Sequence, residues 1–316
     1  MSTRQTWFLK LTCGIALLGL LFSWIDRQAL GTVLGELNGW VFLSLPIFYV
    51  HTAVKAFRWR LWLQRQGVAL PFLQANRLYL SGTFLGLISP GRVGEVYRAW
   101  GLHREKGVNL GVGIASVLVD RLADLFLLLS MGCFGFLYLF QQGYGQLATA
   151  MALPPFLSPS RATIRRFVKG QFTRIMARMP ANVAHELPNA YRHFLQSLRG
   201  MSSALLAKIL LLTLLSILIY CAHLYFIASV LGLPVTFLEL VGVLCAATFI
   251  NMIPVSINGI GTRDAFLVAT LPLLGVGHAE AFGFALVFLL LFLANTLMAF
   301  PFWLYGRREA GTAPTQ

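Results

Sequence analysis

Long apolar runs alternate with short polar stretches along most of the chain. Runs near residues 7–25, 40–57, 110–140, 204–231 and 280–305 are each long enough to cross a hydrocarbon layer about 30 Å thick as a helix. Two further runs, near residues 77–89 and 238–253, are shorter, and each is followed by proline and glycine. The pattern predicts an all-α integral membrane protein built as a polytopic helix bundle.

The two shorter runs are rough copies of each other. Thr83–Glu95 and Thr248–Asp264 both lead from apolar residues through a proline and two glycines to an arginine and a carboxylate. The predicted structural breaks are Pro90, Gly91 and Gly94 in the first copy, and Pro254, Gly259 and Gly261 in the second. Helix breakers and charges are tolerated at membrane depth where broken helices surround a polar site, so we expect two broken or re-entrant helices in an internal repeat.

Two paths are open for the first break. If residues 77–106 cross the bilayer as one broken helix, the following segment 141–203 lies in the cytoplasm. If they form a re-entrant hairpin, that segment lies outside. The charge distribution favours the first path. In the second half, residues 238–253 and 264–276 are expected to form a hairpin that enters from the opposite side.

Composition supports the membrane assignment, since 57% of the 316 residues are hydrophobic and 11% are charged. The formal net charge of +14 is concentrated in residues 141–203, which hold eight basic residues and Glu186. Basic residues favour the cytoplasmic face, where they are attracted to anionic headgroups. Apolar residues interleaved with them favour an interfacial amphipathic helix over nucleic-acid binding.

The domain prediction is a single transmembrane domain over residues 1–306. Its first half covers about 1–140, a basic amphipathic connection covers 141–203, the second half covers 204–306, and a short polar tail covers 307–316. The N-terminal apolar run lacks a clear cleavage site and is expected to be retained as the first helix. Both termini are expected in the cytoplasm. All four cysteines lie in apolar segments without paired spacing, so neither a disulfide nor a metal site nor a cofactor is indicated.

The first break carries three charged residues that can share a helix face. Arg92 follows a glycine and a proline, where a new helix can begin with free N–H groups, and such an N-terminus favours a phosphate or carboxylate. Arg92 is therefore expected to contact the substrate. Glu95 and Arg98 lie three and six residues further on, so Glu95 either stabilises the two arginines locally or contacts the substrate directly. Arg98 is a candidate of the same kind or an interfacial anchor.

Asp120, Arg121 and Asp124 interrupt the long apolar run at 110–140. A helix that starts near Leu110 places Asp120 about 15 Å into the bilayer, close to its middle. Asp120 and Asp124 share a face, Arg121 can reach Asp124, and Asp120 then needs a partner such as Arg92 or Arg98. The group is either a charge network that fixes helix packing or one that also binds or gates.

The second break offers Asn258, Arg263 and Asp264 as further candidates for substrate binding. They follow Pro254 in a stretch whose polar side chains and open backbone are suited to line a cavity. No nucleophile and base pair is evident in the sequence, so no residue is predicted to be catalytic.

These motifs resemble those of a known family, the flippase-like transmembrane proteins related to the membrane domain of lysylphosphatidylglycerol synthase/flippase (the multiple peptide resistance factor). The resemblance rests on Phe57–Leu63, Ser89–Glu95 with Arg98, Asp120–Arg121 with Asp124, and Ile253–Asp264, and covers nearly the whole chain. It implies a bacterial inner-membrane protein that helps to translocate a lipid with a polar headgroup. In the characterised relative a soluble aminoacyl-transferase domain follows, which is not found here after Tyr305, so lysyl transfer is not expected.

Three hypotheses for function follow. The leading one is a lipid flippase or transporter that moves or binds an anionic phospholipid or glycolipid. A second is a non-catalytic accessory subunit with a synthase of lipid or polysaccharide as its partner. A third is a membrane-embedded lipid transferase in which Asp120 or Glu95 acts as general base.

Overall fold

A computed structural model describes residues 27–35, 39–89, 94–141, 202–252 and 260–311, together with six single positions between 12 and 23. All regular elements in these ranges are helices, which confirms the predicted all-α class. The chain divides into two compact units. The first unit draws on Met1–Ile47, Leu128–Arg174 and Tyr220–Leu293, and the second on Phe48–Leu127, Ile175–Ile219 and Ala294–Gln316.

The described helices are numbered here in chain order. They are α1 (Arg27–Gly35), α2 (Ser44–Arg65), α3 (Phe72–Ile88), α4 (Tyr97–Lys106), α5 (Leu110–Gln141), α6 (Ser203–Val230), α7 (Phe237–Met252), α8 (Thr262–Thr270), α9 (His278–Leu297) and α10 (Phe300–Gly311). Short 3-10 helices cover Gly39–Leu43 and Leu271–Leu274. Of the described stretches, Gly39–Arg65, Ser203–Val230 and His278–Gly306 are long and apolar enough to span a membrane.

In the second unit, α2 runs antiparallel to both α5 and α6. Lys55 of α2 pairs with Asp124 of α5. Trp59, four residues later on α2, donates a hydrogen bond to Ser116, eight residues earlier on α5. Likewise His51 contacts Ser216 and Trp62 packs against Ile209, seven residues earlier on α6. The polar face of α2 therefore meets polar residues of two neighbouring helices.

The α3 and α4 helices form an antiparallel hairpin in the second unit. Four pairs mark its length, from base to tip: Arg77 with Glu105, Leu78 with Gly101, Gly82 with Arg98, and Gly86 with Glu95. A Cβ at residue 82 would lie 2.8 Å from Arg98 Cγ, and one at residue 86 would lie 3.0 Å from Glu95 Cγ. Glycine at these positions thus permits the close approach of the two helices.

The hairpin corrects the preferred path through residues 77–106. A single broken helix would carry α4 onward from the end of α3, whereas α4 returns alongside α3. The preferred path took no account of the glycines that let the chain fold back, while the position of residues 141–203 relative to the membrane stays a prediction. Whether the hairpin is re-entrant in a bilayer remains a prediction.

The two predicted breaks have similar surroundings. α3 ends at Ile88 and α7 ends at Met252, each two residues before the proline of its motif. A 17-residue α3 precedes a 10-residue α4, and a 16-residue α7 precedes a 9-residue α8. In the first unit α8 packs against α7, as the expected hairpin requires.

The first unit has an apolar core formed by its part of α6 together with α1, α7, α8 and α9. Fully buried side chains include Leu224, Leu240, Leu267 and Phe284. Cys221 and Cys245 are free thiols buried in the same unit. Gly283 lies against Val33, which brings α9 close to α1.

Replacing Gly94 by alanine should destabilise the hairpin. Its added Cβ would overlap the carbonyl group of Leu85, so the backbone of the tip must shift. We expect a loss of about 1–3 kcal/mol in the free energy of unfolding, measured in detergent by denaturant titration. Gly31→Ala is the matched control, since nothing lies within 4 Å of its added Cβ, and a helical alanine there should stabilise slightly. Equal stability of Gly94→Ala and the native chain would contradict the close approach.

Candidate functional site

Arg58 lies at the centre of a buried group of charged side chains in the second unit. Its Nε donates to Asp120 Oδ1 at 3.1 Å, and its Nη2 pairs with the same oxygen. Its Nη1 donates to Asp124 Oδ1 at 2.6 Å and to Thr213 Oγ1 at 2.7 Å. Because Arg58 is 2% exposed, the two carboxylates compensate its charge in place of water.

Helical spacing explains why these groups meet. Asp120 and Asp124 are four residues apart on α5 and share one face, while Lys55 and Arg58 are three apart on α2. Lys55 Nζ lies 2.6 Å from Asp124 Oδ2. Two like charges on each helix would repel, and the antiparallel contact of α2 with α5 places opposite charges against each other.

Arg98 extends the network onto the hairpin. Its Nη1 donates to Asp120 Oδ2 at 3.0 Å, and the Tyr79 hydroxyl donates to the same oxygen at 3.0 Å. The guanidinium carbon of Arg98 lies 4.2 Å from the ring centroid of Tyr79 and 5.3 Å from that of Trp59. Such cation–π contacts stabilise a desolvated arginine. Asp120 therefore joins α5 to α2, α3 and α4.

Arg121 and Glu95 form the more exposed edge of the network. Arg121 Nε lies 3.0 Å from Glu95 Oε2, and its Nη2 donates to the Tyr79 hydroxyl at 3.0 Å. The side chain of Arg121 is 32% exposed, against 2% for Arg58. Arg121 is thus the most accessible of the described cations in this network.

Among the residues that the structure describes, the network has more positive than negative groups. Its described members are four cations and three carboxylates: Lys55, Arg58, Arg98 and Arg121, with Glu95, Asp120 and Asp124. With every group ionised, it carries one positive charge in excess. A buried excess charge is costly, so the arrangement favours an additional anion.

Space for a ligand is distributed unequally around the network. A cavity bordered by Arg58, Trp59, Ser116 and Asp120 has a volume of about 10 Å³, which admits one water molecule at most. The centre of the network therefore has no room for a larger group. Among the described cations of the network, Arg121 is the most exposed and is the one that a larger anion could contact.

The structure brings together five of the residues predicted for the site. They are Glu95, Arg98, Asp120, Arg121 and Asp124. The expected partner of Asp120 is confirmed as Arg98, and Arg121 lies 3.8 Å from Asp124 as the spacing suggested. Whether this network also binds a substrate stays a prediction.

Sequence reasoning missed Lys55, Arg58, Tyr79 and Thr213. The predicted apolar run at 40–57 ends between Lys55 and Arg58, so the basic residues there are expected to lie at a membrane surface. In the structure α2 continues to Arg65, and Arg58 points into the unit. A usable signal was present, since Arg58 is flanked by Phe57, Trp59 and Trp62, an aromatic setting unusual for a solvated loop.

Arg263 and Asp264 pair with each other in the first unit. Arg263 Nη2 donates to Asp264 Oδ1 at 2.6 Å, and its guanidinium carbon lies 3.9 Å from the ring centroid of Phe288. Asp264 Oδ2 accepts the backbone N–H of Gly261 at 2.9 Å at the start of α8. Gly261 has φ +84°, a conformation that favours glycine. These contacts give the pair a structural role as a charge-compensated helix cap.

The remaining predicted residues lie outside the described part of the chain. They are the site candidates Arg92 and Asn258 and the break residues Pro90, Gly91, Pro254 and Gly259. Most of the basic connection, residues 142–201, also lies outside it.

Helices of membrane-spanning length and a buried charge network in the second unit define the chain as a polytopic helical membrane protein. A family model described as the lysylphosphatidylglycerol synthase TM region matches residues 7–298. The chain belongs to this family, as the motifs predicted. No curated protein matches the chain.

Replacing Arg58 by methionine should strongly destabilise the protein. The change leaves Asp120 and Asp124 buried without their central cation, for which we expect a loss of about 3–5 kcal/mol in the free energy of unfolding. The measurement is denaturant unfolding of the purified chain in detergent. Arg65→Met, at an exposed position on the same helix, is the matched control and should change this energy by less than about 0.5 kcal/mol. Similar losses in both variants would refute a central role for Arg58.

Proposed function

We propose that this protein moves a lipid with an anionic headgroup, a phospholipid or glycolipid, across the bacterial inner membrane. The headgroup binds at the edge of the charge network formed by Arg121. The observation that carries the proposal is the excess positive charge of a buried network whose most exposed described cation is this arginine. Membership of the family and the apolar helices support a membrane protein related to lipid modification or flipping.

Charge balance explains the choice of an anionic headgroup. A phosphate diester contributes one negative charge and neutralises the one positive charge in excess. An arginine fork is suited to two oxygens of a phosphate, and such paired hydrogen bonds to ionised groups are stronger than neutral ones. A zwitterionic headgroup brings no net charge and gains less from the network.

Movement of the headgroup would follow from an exchange of ion-pair partners. Arg98 and Arg121 hold a carboxylate that belongs to the hairpin, and Asp120 is bonded to both helices of the hairpin. A headgroup that takes over some of these contacts shifts the balance between two hairpin positions. Rocking of such repeat elements around a central site is the mode of transport in many secondary transporters.

The helix ends of the second unit also suggest an orientation. Short loops join α2 to α3 and α4 to α5, so these helix ends lie at one end of the unit, where Arg65, Arg104 and Lys106 are found. Basic residues next to membrane helices favour the cytoplasm. α10 runs antiparallel to α3, since Phe300 packs on Phe84 and Tyr305 on Arg77. We therefore infer a cytoplasmic position for the end of α10.

Removal of the exposed arginine should impair lipid movement. In liposomes that contain the purified protein, we expect Arg121→Ala to slow movement of headgroup-labelled phosphatidylglycerol at least about tenfold. Labelled phosphatidylcholine should move slowly with both proteins. The assay needs a parallel unfolding measurement, because a collapsed fold would also stop movement.

The matched control is Arg104→Ala, which removes an arginine that stacks on Trp100 at 5.2 Å and belongs to the base of the hairpin. It should move phosphatidylglycerol at the native rate. No lipid movement by the native protein, with or without a proton gradient, would count against the transport proposal. Equal rates for the Arg121→Ala and native proteins would exclude this edge as the site.

The orientation predicts which cysteine positions react with a membrane-impermeant maleimide. In a chain without its four native cysteines, Arg104→Cys and Arg308→Cys should be protected in intact spheroplasts and labelled after lysis. Gly39→Cys, close to the opposite end of α2 and with open space around its Cβ, should be labelled in intact spheroplasts. Labelling of Arg104→Cys from outside would reverse the orientation.

A further inference from the structure

We propose that Glu95 acts as a substitute anion: its carboxylate occupies the place of the headgroup phosphate between Arg98 and Arg121, and the arriving headgroup takes over that place. The displaced carboxylate stays beside the network, so that the added phosphate neutralises the positive charge in excess. This inference rests on the proposed function, since it names the contact that the lipid must replace. It gives Glu95 a competitive role in place of direct contact with the substrate.

Two arginines converge on one oxygen of Glu95. Its Oε2 lies 3.0 Å from Arg121 Nε and 3.8 Å from Arg98 Nη2. Both nitrogens are buried, and neither makes a hydrogen bond to any residue that the structure describes. Charge therefore attracts these groups to Glu95 while two N–H donors stay unused. An unused buried donor costs about 1–3 kcal/mol.

The other two carboxylates of the network are held differently. Asp124 lies 2.6 Å from both Lys55 Nζ and Arg58 Nη1. Asp120 accepts hydrogen bonds from Arg58, Tyr79 and Arg98. Each of these two aspartates thus accepts hydrogen bonds from Arg58, whereas neither Arg98 Nη2 nor Arg121 Nε donates one to the Glu95 carboxylate. A phosphate presents several oxygens in a tetrahedral arrangement and can accept from Arg98 and Arg121 together.

Glu95 is also placed where its displacement would move the hairpin. It lies on the turn at residues 94–96, between the predicted break and α4. Glycine at position 86 makes room for its side chain, since a Cβ there would lie 3.0 Å from Glu95 Cγ. The carboxylate is therefore held against α3, close to the tip of the hairpin. Its departure loosens the tip of the hairpin and couples headgroup binding to a conformational change.

A direct contact between Glu95 and the lipid predicts the opposite effect of removing the carboxylate. If Glu95 binds a hydroxyl or amine of the headgroup, Glu95→Gln weakens binding. If Glu95 competes with the phosphate, Glu95→Gln strengthens binding. The sign of the change distinguishes the two roles without knowledge of the natural lipid.

The experiment titrates the purified full chain in detergent with short-chain phosphatidylglycerol and phosphatidylcholine. We expect Glu95→Gln to bind phosphatidylglycerol at least about tenfold more tightly than the native chain, with little change for phosphatidylcholine. In liposomes the same variant should move phosphatidylglycerol more slowly, because release becomes harder. A rise in affinity together with a fall in rate is not expected from a merely structural residue.

Glu105→Gln is the matched control. It removes a carboxylate from the same hairpin, where Glu105 pairs with Arg77 at 2.8 Å at the opposite end from Glu95. It should leave affinity and rate at native values. Glu95→Ala serves as a second variant if Glu95→Gln does not fold.

Glu95→Asp separates displacement from a simple effect of net charge. Aspartate keeps the charge but shortens the side chain by one methylene, which withdraws the carboxylate from both arginines. Displacement predicts tighter phosphatidylglycerol binding than native for this variant as well. Native affinity in Glu95→Asp combined with tighter binding in Glu95→Gln would overturn the inference in favour of net charge.

The remaining outcomes separate the inference from the function on which it rests. Selective phosphatidylglycerol binding by the native chain, unchanged or weakened in Glu95→Gln, overturns the competitive role and leaves the proposed function standing. No selectivity in the native chain, Glu95→Gln and Glu95→Ala overturns both.

Discussion

Compensation of the Arg58 charge is the constraint on which the second unit depends. A guanidinium group that is 2% exposed inside a helix bundle requires acceptors on several sides, and Asp120, Asp124 and Thr213 supply them. These partners lie on α5 and α6, so the requirement fixes how both helices sit against α2. A slide of one helical turn along α5, about 5.4 Å, would separate the charges. The ion pairs therefore specify a single packing that apolar contacts alone would define less sharply.

The same constraint reaches the hairpin through Asp120. One of its oxygens accepts from Arg58, and the other accepts from Tyr79 on α3 and Arg98 on α4. Small residues let the hairpin come close enough to α5, since a Cβ at position 113 would lie 3.0 Å from Ala99 Cα. Backbone proximity and charge pairing thus cooperate. Neither explains the geometry alone. The glycines allow the helices to approach closely but do not fix which residues face each other, whereas the arginine selects its partner but cannot reach it unless the helices are close.

Hydrophobic periodicity and helix breakers predicted those features that depend on residues close together in sequence. The start of α5, the shared face of Asp120 and Asp124, and the ends of α3 and α7 before their prolines all follow from spacing within one helix. Arg58 was missed because a charge near a helix end looks the same in sequence whether it meets water or a carboxylate 62 residues away. The antiparallel return of α4 along α3 was not predicted, because a glycine in the sequence permits a close helix contact but does not show which helix makes it.

The two break motifs differ in charge balance, and this difference is informative. In the first unit Arg263 and Asp264 neutralise each other, and Asp264 also caps α8. In the second unit the described network has one more cation than carboxylates, and a partly exposed arginine forms its edge. An excess charge within a helix bundle lowers stability unless an anion completes it. A network needed only for packing would gain from one further carboxylate, whereas a network that must accept and release an anion has to remain incomplete.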